Sequence, residues 1–180
     1  MTARDTAAGG VVVVGVDGSP GSSAALDFAL REAARRGDRL RVVVAVESPE
    51  PWIAAYGHLL RPPPPDPLGE AARAGWGWVR DAAVRLRGSA HTGAHAGAEV
   101  EVHAAHGAPA HVLLSAARDA ALLVVGHRGR GAVASVLLGS VGLRCVLDAP
   151  CPVTVVRPAP VTEPVAAPMA LTPVPVPTGG

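Results

Sequence analysis

Hydrophobic residues in this chain fall into short apolar runs separated by segments with helical periodicity. The run Val11 to Val16 is β-branched and lacks polar alternation, as is typical of a strand buried on both faces of a parallel sheet. Ser19 and Pro20 then predict the start of a helix, and Leu40 to Val46 predicts a second strand. The apolar face of the intervening helix consists of Leu26, Ala29, Leu30 and Ala33. These elements predict a right-handed βαβ unit.

The rest of the chain continues this alternation of strands and helices. A helix is predicted from about Glu70 to Leu86, although Gly75 and Gly77 lower its helix propensity. Its predicted apolar face is Trp76, Val79, Ala83 and Leu86. The later predicted elements are an edge strand around Val100 and Val102, a helix from Pro109 through Arg118, a strand over Ala121 to Val125, a helix capped by Ser140 and ending near Leu147, and a strand from Pro152 to Val156. This order predicts an α/β fold, a Rossmann-like open parallel sheet of five strands with helices on both faces.

One domain is predicted, over residues 11–157, with a proline-rich loop at residues 49–69. Residues 1–10 and the tail over residues 158–180 are expected to be disordered; the tail contains seven prolines and no aromatic residue. Of the 180 residues, 49% are hydrophobic, and 16 basic residues face 15 acidic ones. A net charge of +1 argues against general nucleic-acid binding, which needs an excess of positive charge.

Residue types that are missing exclude several chemistries. The chain contains no lysine, so it has neither a Walker A phosphate loop nor a Schiff-base amine. No apolar run is long enough to cross a membrane, and no signal peptide is indicated, so we expect a cytoplasmic protein. The two cysteines, Cys145 and Cys151, lack the spacing of a redox or zinc motif and are expected to be small apolar residues. His103, His106 and His111 lack cysteine or carboxylate partners, which argues against a zinc site.

Two unusual loops follow the two most apolar strands, and a ligand pocket is predicted between them. The first is Asp17-Gly18-Ser19. The second begins Gly126-x-x-Gly129 and, after nine further residues, reaches Gly139 and Ser140 at the start of a helix. Glycines allow close backbone approach and positive φ, and a helix N-terminus favours a phosphate. The second loop therefore predicts an anion site that needs no lysine.

Asp17 predicts a division of the pocket, because a carboxylate repels phosphates but accepts hydrogen bonds from a sugar or a base. We therefore expect the base and sugar near Asp17 and the phosphates near residues 126–140. An Asx turn that merely starts the loop is the alternative interpretation of Asp17. Arg128 and Arg130 either supply counter-charge to the phosphates or are simply exposed to solvent.

At these residues the chain resembles the universal stress protein family. Gly126, Gly129, Gly139 and Ser140 match the whole nucleotide-binding pattern of that family, and Val14 to Ser19 is similar to its first strand and aspartate. The similarity extends from about Val11 to Arg157. It implies a strand order of 3-2-1-4-5 and a homodimer joined through the last strand, Val153 to Val156.

The resemblance also implies ATP as the ligand, with magnesium or manganese. In ATP-binding members, residues equivalent to Asp17 and Val46 contact adenosine, while the glycines and serine hold the phosphates. Two departures affect the adenosine side: Ala45 stands where histidine is common, and the loop around Pro62 to Pro67 is richer in proline. The expected binding residues are Asp17, Val46, Gly126, Arg128, Gly129, Arg130, Gly139, Ser140 and Val141.

These observations favour a nucleotide-dependent stress-response switch with, at most, slow ATP hydrolysis, since no general base is evident. A nucleotide-free dimeric scaffold of the same fold is one alternative. A dinucleotide oxidoreductase is another, for which Glu47 would meet the demand for an acidic residue after the second strand. Asp17, however, would lie where the pyrophosphate of a dinucleotide belongs. A serine hydrolase is excluded by the lack of a Gly-x-Ser-x-Gly sequence.

Overall fold

The computed structural model describes residues 9–47, 66–87, 98–129 and 138–158. Within these ranges strands and helices alternate in the predicted order. They are β1 (Val11–Gly15), α1 (Pro20–Arg36), β2 (Arg39–Val46), α2 (Pro67–Arg87), β3 (Val100–His106), α3 (Pro109–Ala116), β4 (Leu122–Gly126), α4 (Ser140–Asp148) and β5 (Val153–Val156). The predictions for residues 1–8, for most of the proline-rich loop and for the tail from residue 159 lie outside the described residues.

The strands form one parallel sheet in the order β3-β2-β1-β4-β5. This confirms the strand order implied by the resemblance and places β3 at an edge. In the central register, Val14 of β1 pairs with Val42 of β2 on one side and with Val124 of β4 on the other. The winding of the chain reverses between β1 and β4, which is where ligands bind in open parallel sheets.

Two hydrophobic layers cover the sheet, one on each face. Val12 and Val14 of β1 pack with α1 and α2, whereas Val11 and Val13 pack with α3 and α4. All four valines are at most 4% exposed. Because successive side chains of a strand point to opposite faces, a strand covered on both sides shows no polar alternation, which explains the apolar run.

Helix α1 begins and ends as the sequence predicts. The Ser19 hydroxyl accepts a hydrogen bond from the backbone N–H of Ser22 (3.2 Å), and Pro20 occupies the first helical position. Gly37 ends the helix with a φ of 71°, a left-handed conformation that favours glycine. The buried face includes Leu26, as expected.

Helix α2 begins at Pro67, three residues earlier than predicted, so residues 67–69 belong to the helix and not to the proline-rich loop. The Asp66 carboxylate accepts a hydrogen bond from the Gly69 backbone N–H (2.8 Å), which caps the first turn. At its other end the structure describes the helix as far as Arg87.

The predicted apolar face of α2 is partly wrong, because Trp76 is 42% exposed. The buried residues of this helix are Gly75, Val79, Ala82 and Leu86. A Cβ at Gly75 would lie 2.7 Å from Cγ1 of Val102, so this glycine lets the helix approach the sheet closely. Because Gly75 faces the sheet, the next residue, Trp76, is directed toward solvent.

The later elements differ from the predictions by one or two residues at their ends. Helix α3 ends at Ala116, two residues before the predicted end, and β5 begins at Val153. None of the described helices is both long and apolar enough to cross a bilayer.

Candidate functional site

A crevice of about 470 Å³ opens at the carboxyl ends of β1, β2 and β4. It lies between the two loops singled out from the sequence, at the point where the winding of the sheet reverses. Its wall comprises Gly15, Val16, Asp17, Ser22, Val43, Ala45, Glu47, Pro109, Leu113, Val125, Gly126, Arg128, Gly129, Gly139, Ser140, Val141 and Gly142.

Glycines at the end of β4 and the start of α1 let two backbones meet at this crevice. A Cβ at Gly126 would lie 2.5 Å from the carbonyl carbon of Gly21 and 2.9 Å from the nitrogen of Ser22. A Cβ at Gly21 would in turn overlap the carbonyl oxygen of Arg128. Close approach is therefore confirmed as a reason for Gly126. A positive φ is not confirmed as a reason, because among the described residues only Gly18, Gly37 and Gly107 adopt one.

Asp17 forms the Asx turn that was the alternative interpretation of this residue, and it also reaches the second loop. Its Oδ1 accepts a hydrogen bond from the Ser19 backbone N–H (2.9 Å), and its own N–H donates to the Ser22 hydroxyl (3.3 Å). A Cβ at Gly129 would lie 2.6 Å from Asp17 Oδ2. The regions expected to hold the sugar and the phosphates thus adjoin at the Asp17 carboxylate.

The loop after β4 is held by three hydrogen bonds to other parts of the chain. The His127 N–H donates to the carbonyl of Val156 in β5 (2.8 Å), and the His127 carbonyl accepts from the Gly139 N–H (2.9 Å). The Ser19 hydroxyl also donates to the Arg128 carbonyl (3.4 Å). The main chain of one residue, His127, therefore links the end of β4 to the edge strand β5 and to the start of α4.

Helix α4 turns its N-terminus toward the crevice. Gly139 is its N-cap residue, and Ser140 is its first helical residue, which corrects the prediction that Ser140 is the cap. The first intrahelical hydrogen bond runs from the Leu143 N–H to the Gly139 carbonyl (2.9 Å). The amides of Ser140, Val141 and Gly142 precede that bond, so the helix does not use them, and they carry the positive end of the helix dipole.

The His127 side chain is partly buried. Its Nδ1 is buried and has no hydrogen-bond partner among the described residues. Burial of the ring lowers the pKa of His127, and the positive charges of Arg128 and Arg157 lower it further. Both effects favour the neutral form of the ring.

The wall contributed by β2 is formed by every second residue: Val43, Ala45 and Glu47. Val46 was expected to contact the nucleotide, but it is not among the described residues that line the crevice. Its neighbour Val44 packs on the α1 and α2 side of the sheet, and alternation places the Val46 side chain on that same side. The Val46 carbonyl accepts a hydrogen bond from the Gly107 N–H (3.0 Å).

Of the expected binding residues, seven line the crevice: Asp17, Gly126, Arg128, Gly129, Gly139, Ser140 and Val141. Arg130 lies outside the described residues. Glu47 was not among the expected binding residues, although its period-two spacing from Val43 and Ala45 places it on the same face of β2. Pro109 and Leu113 of α3 were not expected either, because they reach the crevice only through tertiary packing.

In the part of the chain that the structure describes, no three histidine, cysteine, aspartate or glutamate side chains come close enough to hold a metal ion. Cys145 is fully buried, and burial raises the pKa of its thiol to about 11. Such a thiol is not a reactive nucleophile.

The family model for universal stress proteins matches residues 10–157. The chain belongs to the universal stress protein family. Universal stress protein Rv1996 of Mycobacterium tuberculosis is 34% identical over 161 residues, which cover 87% of this chain and 50% of that protein. A universal stress protein of Mycolicibacterium smegmatis is 37% identical over 147 residues, which cover 82% of this chain and 45% of that protein. The chain thus spans about half the length of the curated relatives it matches.

Solved universal stress proteins share the fold. UspA of Lactobacillus plantarum superimposes with a TM-score of 0.60 at 24% identity, covering 84% of this chain and all of that one. A universal stress protein solved in complex with cAMP superimposes with a TM-score of 0.56 at 27% identity, covering 85% of this chain and all of that one. The second structure is a universal stress protein that holds an adenine nucleotide.

Proposed function

We propose that this universal stress protein binds an adenine nucleotide, ATP, in the crevice between β1 and β4. The observation that carries the proposal is the convergence of two chemistries on one cavity. The N-terminus of α4 supplies amides and the Ser140 hydroxyl, which suit phosphates, while Asp17 supplies a carboxylate, which suits sugar hydroxyls. The relative with bound cAMP supports an adenine nucleotide as the ligand class.

The contacts in the crevice favour one orientation of the nucleotide. The Asp17 carboxylate adjoins Gly129, so phosphates are repelled from that part of the loop and are best held at Gly139, Ser140 and Val141. Arg128 lines the same crevice and supplies positive charge. The sugar then lies over Asp17, and the base extends toward β2. Val46 contributes at most its main chain, because its side chain belongs to the other face.

Magnesium or manganese is proposed as the counter-ion of the triphosphate. Mg²⁺ commonly binds through one or two carboxylates together with substrate phosphates. Of the two carboxylates on the crevice wall, Asp17 adjoins the second loop at Gly129, and no denser set of acidic ligands occurs among the described residues. This donor set fits a cation that enters with the nucleotide better than a cation bound by the protein alone.

We propose that the bound nucleotide acts as a cytoplasmic stress-response switch, with hydrolysis slow at most. Arginine and backbone amides can stabilise phosphate charge, but no described side chain is placed as the base that activates water. The main chain of His127 provides a connection for a switch, because its carbonyl accepts from the Gly139 N–H at the phosphate end and its N–H donates to the carbonyl of Val156 in β5.

We propose that β5 joins two copies of this chain into a homodimer. The strand lies at the edge of the sheet, and Val155 is 37% exposed there. Leu143, Val146 and Leu147 form an exposed apolar stripe on α4, which packs beside β5. Light scattering should give twice the monomer mass for the wild type, and Leu147→Asp should shift the protein toward monomer. A wild-type monomer at micromolar concentration contradicts this part of the proposal.

Calorimetric titration with ATP and magnesium tests the nucleotide site. The wild type should bind, and Gly129→Asp should lose binding, because it adds a second carboxylate against Asp17. Gly77→Asp is the matched control: a Cβ at Gly77 meets nothing within 4 Å, and this glycine lies on α2, outside the crevice wall. Absence of wild-type binding at millimolar ATP refutes the proposal and favours the nucleotide-free scaffold. Normal ATP binding by Gly129→Asp refutes the location.

A further inference from the structure

Glu47 is the acidic residue that closes β2, and it stands at the end of the crevice farthest from α4. It shares a face with Val43 and Ala45, and all three line the cavity. Its side chain is exposed toward that opening and follows directly after the last strand residue, Val46. Neither the resemblance nor the relatives assign a role to this carboxylate.

The order of the strands fixes what reaches Glu47. The phosphate end of the site lies beyond β4, Asp17 follows β1, and Glu47 follows β2. Neighbouring strands are about 4.8 Å apart, so the end of β2 lies about 10 Å across the sheet from the end of β4. A nucleotide with its phosphates at Ser140 and its sugar at Asp17 therefore brings its base to Glu47. This step rests on the proposed function.

The chemistry of a carboxylate then restricts the base. Carboxylate oxygens only accept hydrogen bonds, so they pair with an amino group and repel a carbonyl group at the same position. Adenine carries an amino group at C6, whereas hypoxanthine carries a carbonyl group there. We propose that Glu47 is the residue that reads the base and selects 6-aminopurine nucleotides over 6-oxopurine nucleotides.

A comparison of ATP with inosine triphosphate tests this assignment, because the two ligands have identical sugars and phosphates. Calorimetry should show that the wild type binds ATP about tenfold more tightly than inosine triphosphate. This is the difference in affinity expected when a charge-assisted hydrogen bond is replaced by repulsion at a partly exposed site. Glu47→Gln should bring the two affinities within about twofold, because the amide both donates and accepts. Glu99→Gln is the matched control, since Glu99 is an exposed residue next to the start of β3, at the opposite end of the sheet.

The possible outcomes separate this inference from the proposed function. Equal binding of ATP and inosine triphosphate by the wild type overturns the base-reading role and leaves the nucleotide site intact. If Glu47→Gln weakens both ligands by the same factor, the carboxylate contacts the sugar, and the inference is wrong. If the wild type binds neither ligand at millimolar concentration, both the inference and the proposed function fail.

Discussion

Gly126 and Gly129 belong to the same sequence motif, but their surroundings predict different consequences of adding a methyl group. At Gly126 the added Cβ would meet backbone atoms of Gly21 and Ser22 at 2.5–2.9 Å. Because β4 and α1 are both packed in the core, neither backbone can retreat without disturbing the sheet. At Gly129 the nearest atom is Oδ2 of Asp17, the end of a side chain that can rotate away.

The expected effects follow from these contacts. Gly126→Ala should destabilise the fold by about 3 kcal/mol, the upper part of the usual range for overpacking. For a chain of this size, that loss lowers the melting temperature by about 6–12 °C. Gly129→Ala should remain within about 1 kcal/mol of wild type, since the Asp17 carboxylate can move at the cost of the hydrogen bond that it accepts from the Ser19 N–H. Gly77→Ala, in open space on α2, should be stabilising by about 0.5–1 kcal/mol.

Thermal melting followed by circular dichroism measures all three variants. The experiment requires nucleotide-free protein at one fixed concentration, because bound ligand and dimerisation both raise the melting temperature by mass action. A Gly126→Ala variant that melts within about 2 °C of wild type would falsify the argument from backbone contact. The argument also fails if Gly129→Ala melts at as low a temperature as Gly126→Ala. That result would mean that the Asp17 carboxylate does not move away from the added methyl group.

Three further predictions concern groups outside the glycine motif. The pKa of His127 is lowered in the folded protein, so on acidification the imidazole of the unfolded chain is protonated first. The free energy of unfolding should therefore fall as the pH drops below about 6.5. Urea titrations at several pH values measure this dependence, and His127→Gln should remove the part of it that is due to His127. Arg41 donates to Glu101 (2.6 Å) and Asp119 (2.8 Å) and lowers the pKa of both carboxyl groups. Arg41→Met should therefore lower the free energy of unfolding by about 1 kcal/mol at neutral pH. This difference from wild type should disappear at a pH low enough to protonate both carboxylates, which lies below the ordinary pKa range of such groups. A difference that is unchanged in acid contradicts the ion-pair explanation. In the folded protein Cys145 should resist iodoacetamide at about pH 8, and it should react once urea unfolds the chain. Mass spectrometry measures the labelling of Cys145. Rapid labelling of this residue in the folded protein would contradict its buried position.

The order of elements was predictable because both sides of this sheet are covered. Apolar runs such as Val11 to Val14 have no other common explanation than a doubly buried strand, and the capping residues of α1 act locally. The exposed position of Trp76 was not predictable from periodicity. It depends on the close packing of Gly75 against Val102, a contact between residues far apart in sequence, and tertiary contacts of this kind override local hydrophobicity.

The loops of the candidate site were predictable, but their relation to one another was not. Asp17 and Gly129 are more than a hundred residues apart, and their contact arises only because β1 and β4 pair in the sheet. The position of Glu47 on the crevice wall follows from strand alternation and could have been predicted. The contribution of Leu113 could not, because α3 reaches the crevice through its packing against β1 and β2.

The glycines and the helix N-terminus have separate roles in this site. Neither Gly126 nor Gly129 adopts positive φ, so residues 126–129 do not form the alternating backbone that gathers amides into an anion nest. Gly126 instead lets β4 approach α1, and that approach positions the loop whose His127 carbonyl receives the Gly139 N–H. Gly139 in turn fixes the start of α4, whose first amides precede any intrahelical bond. In this chain without lysine, we therefore expect the described part of the site to hold phosphate mainly through α4, and the glycines bring that helix end to the crevice.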